Sequence, residues 1–260
     1  MYYYSLMLID THAHIDMDDY AADFDAMLER AVQNGVEKII IPGVEPSTFD
    51  RIFTIVQKYP NVYGAVGVHP SEAKSFNEEA AVRMQELLKE DKILAVGEIG
   101  LDYYWDKSFN DLQKEVFARQ IEIAKSAKKP IIVHDREAHL DSFNILKENK
   151  ANEVGVVMHC FSGSAEFALQ CVKEGFYIAL GGVVTFKNAK KMKEVAQVVP
   201  IEKLLVETDS PYLTPEPYRG KRNEPSYVKL AVKEIAELRG VSEEEIAEAT
   251  TENAKKLFGF

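Results

Sequence analysis

The chain has 260 residues, of which 46% are hydrophobic and 28% are charged, a balance typical of a globular protein and unlike that of a disordered or fibrous one. No stretch approaches the roughly 18 continuous apolar residues of a membrane helix, and the start of the chain lacks the features of a secretory signal, so we expect a cytoplasmic protein that does not bind membranes. The formal net charge of −11 argues against a protein that wraps long duplex DNA, although a phosphodiester could still be held locally by metal ions.

Apolar, β-branched runs alternate with amphipathic segments along the whole chain. The runs, each predicted to form a strand, span residues 6–11, 38–41, 62–68, 94–97, 131–133, 154–158, 176–180 and 204–206. The predicted helices span residues 20–34, 48–59, 77–90, 111–128, 137–149, 165–174, 189–198 and 226–239, with two further short helices in residues 242–260. Ser47, Ser164 and Ser242 are predicted N-caps, and Gly35 and Gly175 are predicted to end their helices.

Continuously apolar strands are typical of a parallel sheet that is buried on both faces. Eight strand–helix units in a chain of this length predict a (β/α)8 TIM barrel, an α/β fold, forming a single domain over residues 1–260. A doubly wound open sheet is the competing architecture. Several different strands carry a histidine or an acid at their C-terminal ends, and only a closed barrel would bring all of these to one point, so the barrel is favoured.

Candidate metal ligands follow the apolar runs, at the predicted mouth of the barrel. His12 and His14 are two residues apart, so on an extended backbone both side chains point to the same side and can chelate one cation. Strand eight of a barrel lies beside strand one, which places Asp209 next to them. We predict two metals, with Glu98 bridging: one on His12, His14, Glu98 and Asp209, the other on Glu98, His134 and His159.

These ligands predict hydrolysis by a metal-activated water. Two cations about 3.5–4 Å apart lower the pKa of a shared water and neutralise the oxyanion that develops on phosphorus or carbon. Glu98 is assigned a catalytic role through its bridging position. Asp209 is the candidate general base, with a role as a ligand alone as the alternative.

Further residues at the predicted mouth are candidates for substrate binding. His69 follows strand three and is assigned to a phosphate oxygen, with a structural histidine before a proline turn as the alternative. Arg222 and Lys221 lie in the proline-rich loop of residues 210–225 and are suited to phosphate, although a solvated basic loop is the alternative, which we favour for Lys221.

An aromatic run follows Glu98 in the sequence. Tyr103, Tyr104 and Trp105 are predicted either to stack on bases or to cover the end of the barrel. His139 has no strand before it and is interpreted as a surface residue. Cys160 directly follows His159 and is expected to point away from the metals and to pack; together with Cys171 it is interpreted as reduced.

Taken together, these residues resemble the TatD family of metal-dependent deoxyribonucleases in the amidohydrolase superfamily. The matching segments are residues 9–14, 67–70, 97–103, 159–163, 207–212 and 219–225. The resemblance implies a TIM barrel and 3′-to-5′ exonuclease activity on DNA, either single strands or 3′ ends, with Mg²⁺ or Mn²⁺ as the working ions and Zn²⁺ as an alternative. It places the family's ligands on the same six positions, with His69 at the phosphate; one departure is Asp135 in the pair that follows His134, where the family usually has serine.

Two other functions remain open at this point. One is hydrolysis of an ester or amide, such as a lactone or an aminoacyl ester, by the same metal centre. The basic, proline-rich loop with Arg222 favours phosphate over these substrates. The other is a metal-holding binding module without turnover. No obligate protein partner is evident from the sequence.

Overall fold

The computed structural model describes residues 7–260, and eight strands and nine α-helices lie in that range. The strands are β1 Leu8–Asp10, β2 Val36–Ile41, β3 Val62–Val66, β4 Ile93–Asp102, β5 Ile131–Arg136, β6 Val156–Met158, β7 Tyr177–Leu180 and β8 Leu204–Val206. The helices are α1 Phe24–Gln33, α2 Phe49–Lys58, α3 Glu78–Leu87, α4 Asn110–Ala127, α5 His139–Glu148, α6 Ala165–Lys173, α7 Lys190–Val198, α8 Val228–Arg239 and α9 Glu243–Phe258. All eight predicted strands are present; Leu6, in the first of them, lies outside the described residues.

The strands form one parallel sheet in the order β1 to β8, each pairing with the next along the chain. The two edge strands, β1 and β8, are also joined to each other by backbone contacts of the residues that follow them. Thr11 N–H donates to the carbonyl of Val206 at 3.2 Å, Asp209 N–H donates to the carbonyl of His12 at 2.9 Å, and Ala13 forms a parallel bridge with Ser210. The fold is therefore the predicted (β/α)8 TIM barrel, and the open sheet is excluded.

Alternation along the strands divides the core into an inner and an outer layer. One set of buried residues, with a member from each strand, includes Ile9, Ile40, Ala65, Ala95, Ile132, Val157, Ala179 and Leu205. The alternate residues pack against the helices. Ala254 and Phe258 of α9 belong to the inner cluster, so this helix closes the barrel at the end opposite the C-terminal ends of the strands.

The structure corrects three local predictions. Residues 242–260 contain one long helix, α9, rather than two, because its buried face continues without a break from Ile246 to Phe258. Ser47 does not cap α2, whose N-cap is Thr48, whereas Ser164 and Ser242 do cap their helices. Strand β4 continues five residues beyond its predicted end at residue 97.

Every helix in residues 7–260 is too short or too polar to cross a membrane. Gly35 and Gly175 adopt positive φ angles of 85° and 91°, each at the second residue after its helix, α1 or α6. These positions are where the two helices were predicted to end, since the left-handed conformation favours glycine.

Candidate metal centre

A pocket of about 850 Å³ opens at the C-terminal ends of the barrel strands. This is the end at which TIM barrels carry their active sites. All seven residues predicted from strand ends as ligands or phosphate contacts meet here: His12 and His14 after β1, His69 after β3, Glu98 in β4, His134 in β5, His159 after β6 and Asp209 after β8.

The first donor set surrounds one oxygen of Glu98. Its Oε2 lies 3.2 Å from His12 Nε2 and 3.6 Å from His14 Nε2. The two imidazole nitrogens are 3.2 Å apart, and Asp209 Oδ1 lies 3.7 Å from the first and 3.5 Å from the second. Several of these separations are long for hydrogen bonds, yet all the atoms face one point, as ligands of a shared cation do.

The second donor set surrounds the other oxygen of Glu98. Its Oε1 lies 2.8 Å from His134 Nδ1, 3.1 Å from His159 Nε2 and 3.6 Å from His69 Nε2. Glu98 is almost fully buried, so its carboxylate is held between the two sets and shielded from bulk water. Its two oxygens face different imidazoles, and its role as a bridge between two metals stays a prediction.

A third carboxylate, Asp102, joins the second donor set and was not assigned a role from the sequence. Its Oδ2 lies 3.0 Å from His134 Nε2, so both ring nitrogens of that histidine face a carboxylate. His69, Asp102 and His134 offer ligand atoms close enough to hold one ion. Only a strand predicted to run as far as residue 102 would have revealed it, because four residues along an extended strand place Asp102 on the same face as Glu98.

Glu207 orients His159 by contacting the ring nitrogen that faces away from Glu98, and it too was assigned no role from the sequence. Its Oε1 lies 3.2 Å from His159 Nδ1 and accepts a hydrogen bond from Cys160 N–H at 2.5 Å. A carboxylate on the far ring nitrogen is the usual way in which proteins fix a metal-binding histidine. Here it turns Nε2 of His159 toward Glu98.

Asp10 ties the ends of β1 and β8 together beneath the first donor set. Its carboxylate accepts hydrogen bonds from Thr208 N–H at 2.9 Å, from the Thr208 hydroxyl at 2.6 Å and from His12 N–H at 3.3 Å. Burial raises the pKa of Asp10 to about 8. The contacts hold the backbone that carries His12 against the backbone that leads to Asp209.

The electrostatics of the pocket favour cations. Burial alone would lower the pKa values of His14, His134 and His159, yet contacts with carboxylates raise all three. Burial would likewise raise the pKa values of Glu98 and Asp209, but the neighbouring imidazoles hold both below the usual range. The carboxylates are thus ionised, and the negative potential they create holds positive charge.

His69 is a neutral hydrogen-bond donor at the edge of the pocket. Its Nδ1 accepts a hydrogen bond from Ser71 N–H at 3.1 Å, which leaves the proton on Nε2. Burial, followed by the proximity of His134, lowers the pKa of His69 to about 3. The Nε2–H group therefore faces the pocket without carrying charge.

Three predicted substrate-binding residues do not line this pocket. Arg222 makes a bidentate pair with Asp23, at 2.7 and 2.8 Å. Lys221 is exposed over the ring of Tyr218. The hydroxyl of Tyr103 donates to a carboxylate of α5 at 2.7 Å, which directs the ring away from the pocket.

Cys160 does line the pocket, contrary to the sequence-based expectation. Its φ angle is 41°, so the strand alternation that would have turned the side chain away ends before it. Burial, followed by the charge of Asp209, raises the pKa of its thiol well above the usual value.

His139 lies outside the pocket, half-buried, with Nδ1 2.7 Å from Asp135.

Comparison with known proteins agrees with this geometry. A family model described as TatD related DNase matches residues 9–259. The Bacillus subtilis protein called uncharacterized metal-dependent hydrolase YabD is 51% identical over 252 residues, covering 97% of this chain and 99% of that protein. The crystal structure of YjjV, a TatD homologue from Escherichia coli, is similar with a TM-score of 0.92 and 34% identity, covering 97% of this chain and 98% of that one. The chain therefore belongs to the TatD-related DNase family.

Proposed function

We propose that the protein is a metal-dependent hydrolase that cleaves phosphodiester bonds at the 3′ ends of single-stranded DNA. The observation that carries the proposal is the position of Glu98, whose two oxygens face two separate sets of imidazole donors. The name of the family supports DNA as the substrate, and relatives such as YabD are named metal-dependent hydrolases.

The donor set fits two divalent cations. Imidazole nitrogens and carboxylate oxygens are ligands of Zn²⁺ and Mn²⁺, and carboxylates also suit Mg²⁺. One candidate group, His12 with His14 and Asp209, lies on the Oε2 side of Glu98, and another, His69 with Asp102 and His134, lies on the Oε1 side; a third, His12 with Glu98 and His159, lies between them. Carboxylate contacts raise the pKa values of His14 and His159, which supports a cation at those nitrogens, whereas burial lowers the pKa of His12 and favours the neutral ring that can bind a metal. We assign one cation to the Glu98 Oε2 side and one to the Oε1 side.

Bound at these positions, the cations would supply an activated water and offset the charge that develops on phosphorus. Asp209 then accepts the proton that the attacking water loses. Its side chain is 15% exposed, so it faces the pocket, and its lowered pKa keeps it ionised. Glu98 fixes the position of the two donor sets relative to each other, because one of its oxygens contacts each set. Glu207 and Asp102 keep the rings of His159 and His134 in their orientations.

His69 positions the phosphate in this proposal. Its Nε2–H group points into the pocket 3.6 Å from Glu98 Oε1, where it can donate to a non-bridging phosphate oxygen. Because the imidazole is neutral, it does not compete with the cations by charge. His69 thus contributes orientation rather than proton transfer.

The test is hydrolysis by the purified, metal-loaded protein. We expect stepwise removal of nucleotides from 5′-labelled single-stranded DNA with Mg²⁺ or Mn²⁺, and no comparable rate on a panel of lactones, amides and aminoacyl esters. The His134→Ala variant should lose the activity, whereas Glu234→Gln, which changes a carboxylate paired with Lys193 on the outer helices, should keep it. Rapid hydrolysis of a lactone or ester with intact DNA would overturn the proposal, as would metal binding without any turnover.

A further inference from the structure

Two aromatic rings stand exposed at the rim of the pocket. The ring-bearing residues Trp105 and Tyr104 are 69% and 47% exposed, and they follow the end of β4. Trp105 lines the same pocket as Glu98 and His134. Its ring packs edge-on against that of Tyr104, with 4.8 Å between centroids, and the exposed remainder is open to a ligand in the pocket.

A guanidinium is held against these rings. Arg136, at the end of β5, lies with Cζ 3.9 Å from the centroid of the Tyr104 ring and 5.4 Å from that of Trp105. Such cation–π contacts fix the guanidinium without neutralising it. Arg136 also lines the pocket, so its positive charge faces the space that a substrate phosphate would enter.

The rim is connected to the donor sets through Asp102. One carboxylate oxygen of Asp102 accepts hydrogen bonds from Tyr104 N–H at 2.9 Å and Trp105 N–H at 3.4 Å, and the other lies 3.0 Å from His134 Nε2. The amide of buried Gln113 holds the backbone of Asp102 at both its N–H and its carbonyl. The hydrogen bonds of Asp102 therefore fix the turn that carries the two aromatic residues relative to the donor sets.

We propose that Trp105, Tyr104 and Arg136 form a subsite for one unpaired base of the nucleotide bound at the metal centre. The exposed face of Trp105 stacks on the base, and Arg136 supplies positive charge to an adjacent phosphate. Every base offers a π face, so the subsite tolerates any sequence. A base inside a duplex already stacks on its neighbours, and the subsite therefore favours single-stranded ends. This inference rests on the proposed nuclease function and names the part of the substrate that is recognised.

Binding can be tested without turnover, because Trp105 is the one tryptophan of the chain. Its fluorescence reports directly on the subsite. With Mg²⁺ present, titration of the full protein with deoxyadenosine 5′-monophosphate should quench the emission saturably, and deoxyribose 5-phosphate should leave it unchanged. Equal responses to the two compounds, or no response to the nucleotide, would overturn the subsite.

Turnover gives a second, independent test. Two single-stranded oligonucleotides are compared that differ only in having a normal or an abasic 3′-terminal nucleotide. The wild-type protein should prefer the normal end in kcat/KM by about 5–150-fold, the factor that one stacked base supplies. Trp105→Ala should lose this preference by slowing cleavage of the normal end alone, and Trp105→Phe should restore most of it.

The matched control is Tyr218→Ala, which removes another exposed ring that stacks on Tyr227 outside the pocket and should keep the full preference. An unchanged preference in Trp105→Ala would overturn the proposal. If neither oligonucleotide is cleaved, the proposed function fails, and the fluorescence titration still decides whether a base binds at Trp105.

Discussion

Replacing Glu207 by glutamine removes a negative charge from behind His159 while keeping the size of the side chain. Glu207 is 1% exposed, and its Oε1 contacts His159 Nδ1 at 3.2 Å and Cys160 N–H at 2.5 Å. The glutamine carbonyl can still accept both hydrogen bonds, so the loss is the charge assistance to the imidazole. Hydrogen bonds to charged groups contribute about 1.5–3 kcal/mol, which corresponds to about 10–150-fold in an equilibrium constant. Carboxylates behind metal-binding histidines typically contribute about 10–100-fold, so the two magnitudes agree.

The assay for this variant is calorimetric titration with Mn²⁺, alongside kcat/KM on single-stranded DNA. We expect Glu207→Gln to weaken binding of the cation that His159 holds by about 10–100-fold. The melting temperature of the metal-free protein should change little, since the hydrogen bonds are retained. Glu234→Gln is the control, because it alters a carboxylate in an ion pair on the outside of the barrel. Wild-type affinity in Glu207→Gln would refute the idea that this carboxylate acts through His159.

Four further outcomes follow from the same structure. Asp209→Asn should abolish turnover on DNA and leave the circular dichroism spectrum unchanged, since the amide keeps the shape but cannot accept the proton. Removing metal with a chelator should lower the melting temperature by several degrees in a thermal scan, because a ligand at 100 times its Kd stabilises the folded state by about 2.7 kcal/mol. Cation affinity should rise as the pH increases through the raised pKa of His159, since the protonated ring cannot bind; Mn²⁺ titrations at pH values from 6.5 upward measure this. Arg222→Ala should lower stability by about 1 kcal/mol in urea unfolding, with KM unchanged, because its bidentate partner is Asp23 rather than the substrate.

The barrel and its mouth were predictable because they depend on local sequence. Runs such as residues 131–133 and 204–206 are short and continuously apolar, and each lies in a strand with all three residues buried. Polar residues directly after such runs must lie at the C-terminal end of the sheet. Once the barrel closes, His12 and Asp209 become neighbours although they are 197 positions apart in the sequence, as the backbone hydrogen bond from Asp209 N–H to the carbonyl of His12 shows.

What the sequence did not reveal depends on partners that are distant in the chain or on single dihedral angles. Arg222 carries the charge that suits a phosphate, but Asp23, 199 residues away, accepts its hydrogen bonds. Cys160 was expected to alternate with His159, and a φ of 41° places it in the pocket instead. Asp102 was missed because strand β4 was predicted to end at residue 97, whereas it continues to residue 102 and carries the carboxylate to the same face as Glu98.

The buried acids of the metal centre connect cation binding to the stability of the fold. Glu98, Asp102 and Glu207 are each at most 3% exposed, and burying ionised carboxylates costs free energy unless positive charge lies close to them. Without a metal, the positive charge comes from the imidazoles, because contacts with these carboxylates raise the pKa values of His134 and His159. A cation that displaces those protons takes over the same role with more charge in the same space. On the proposed assignment of the metals, the electrostatic cost of burying these acids is lowest with the cations in place, so we expect metal binding to stabilise the mouth of the barrel.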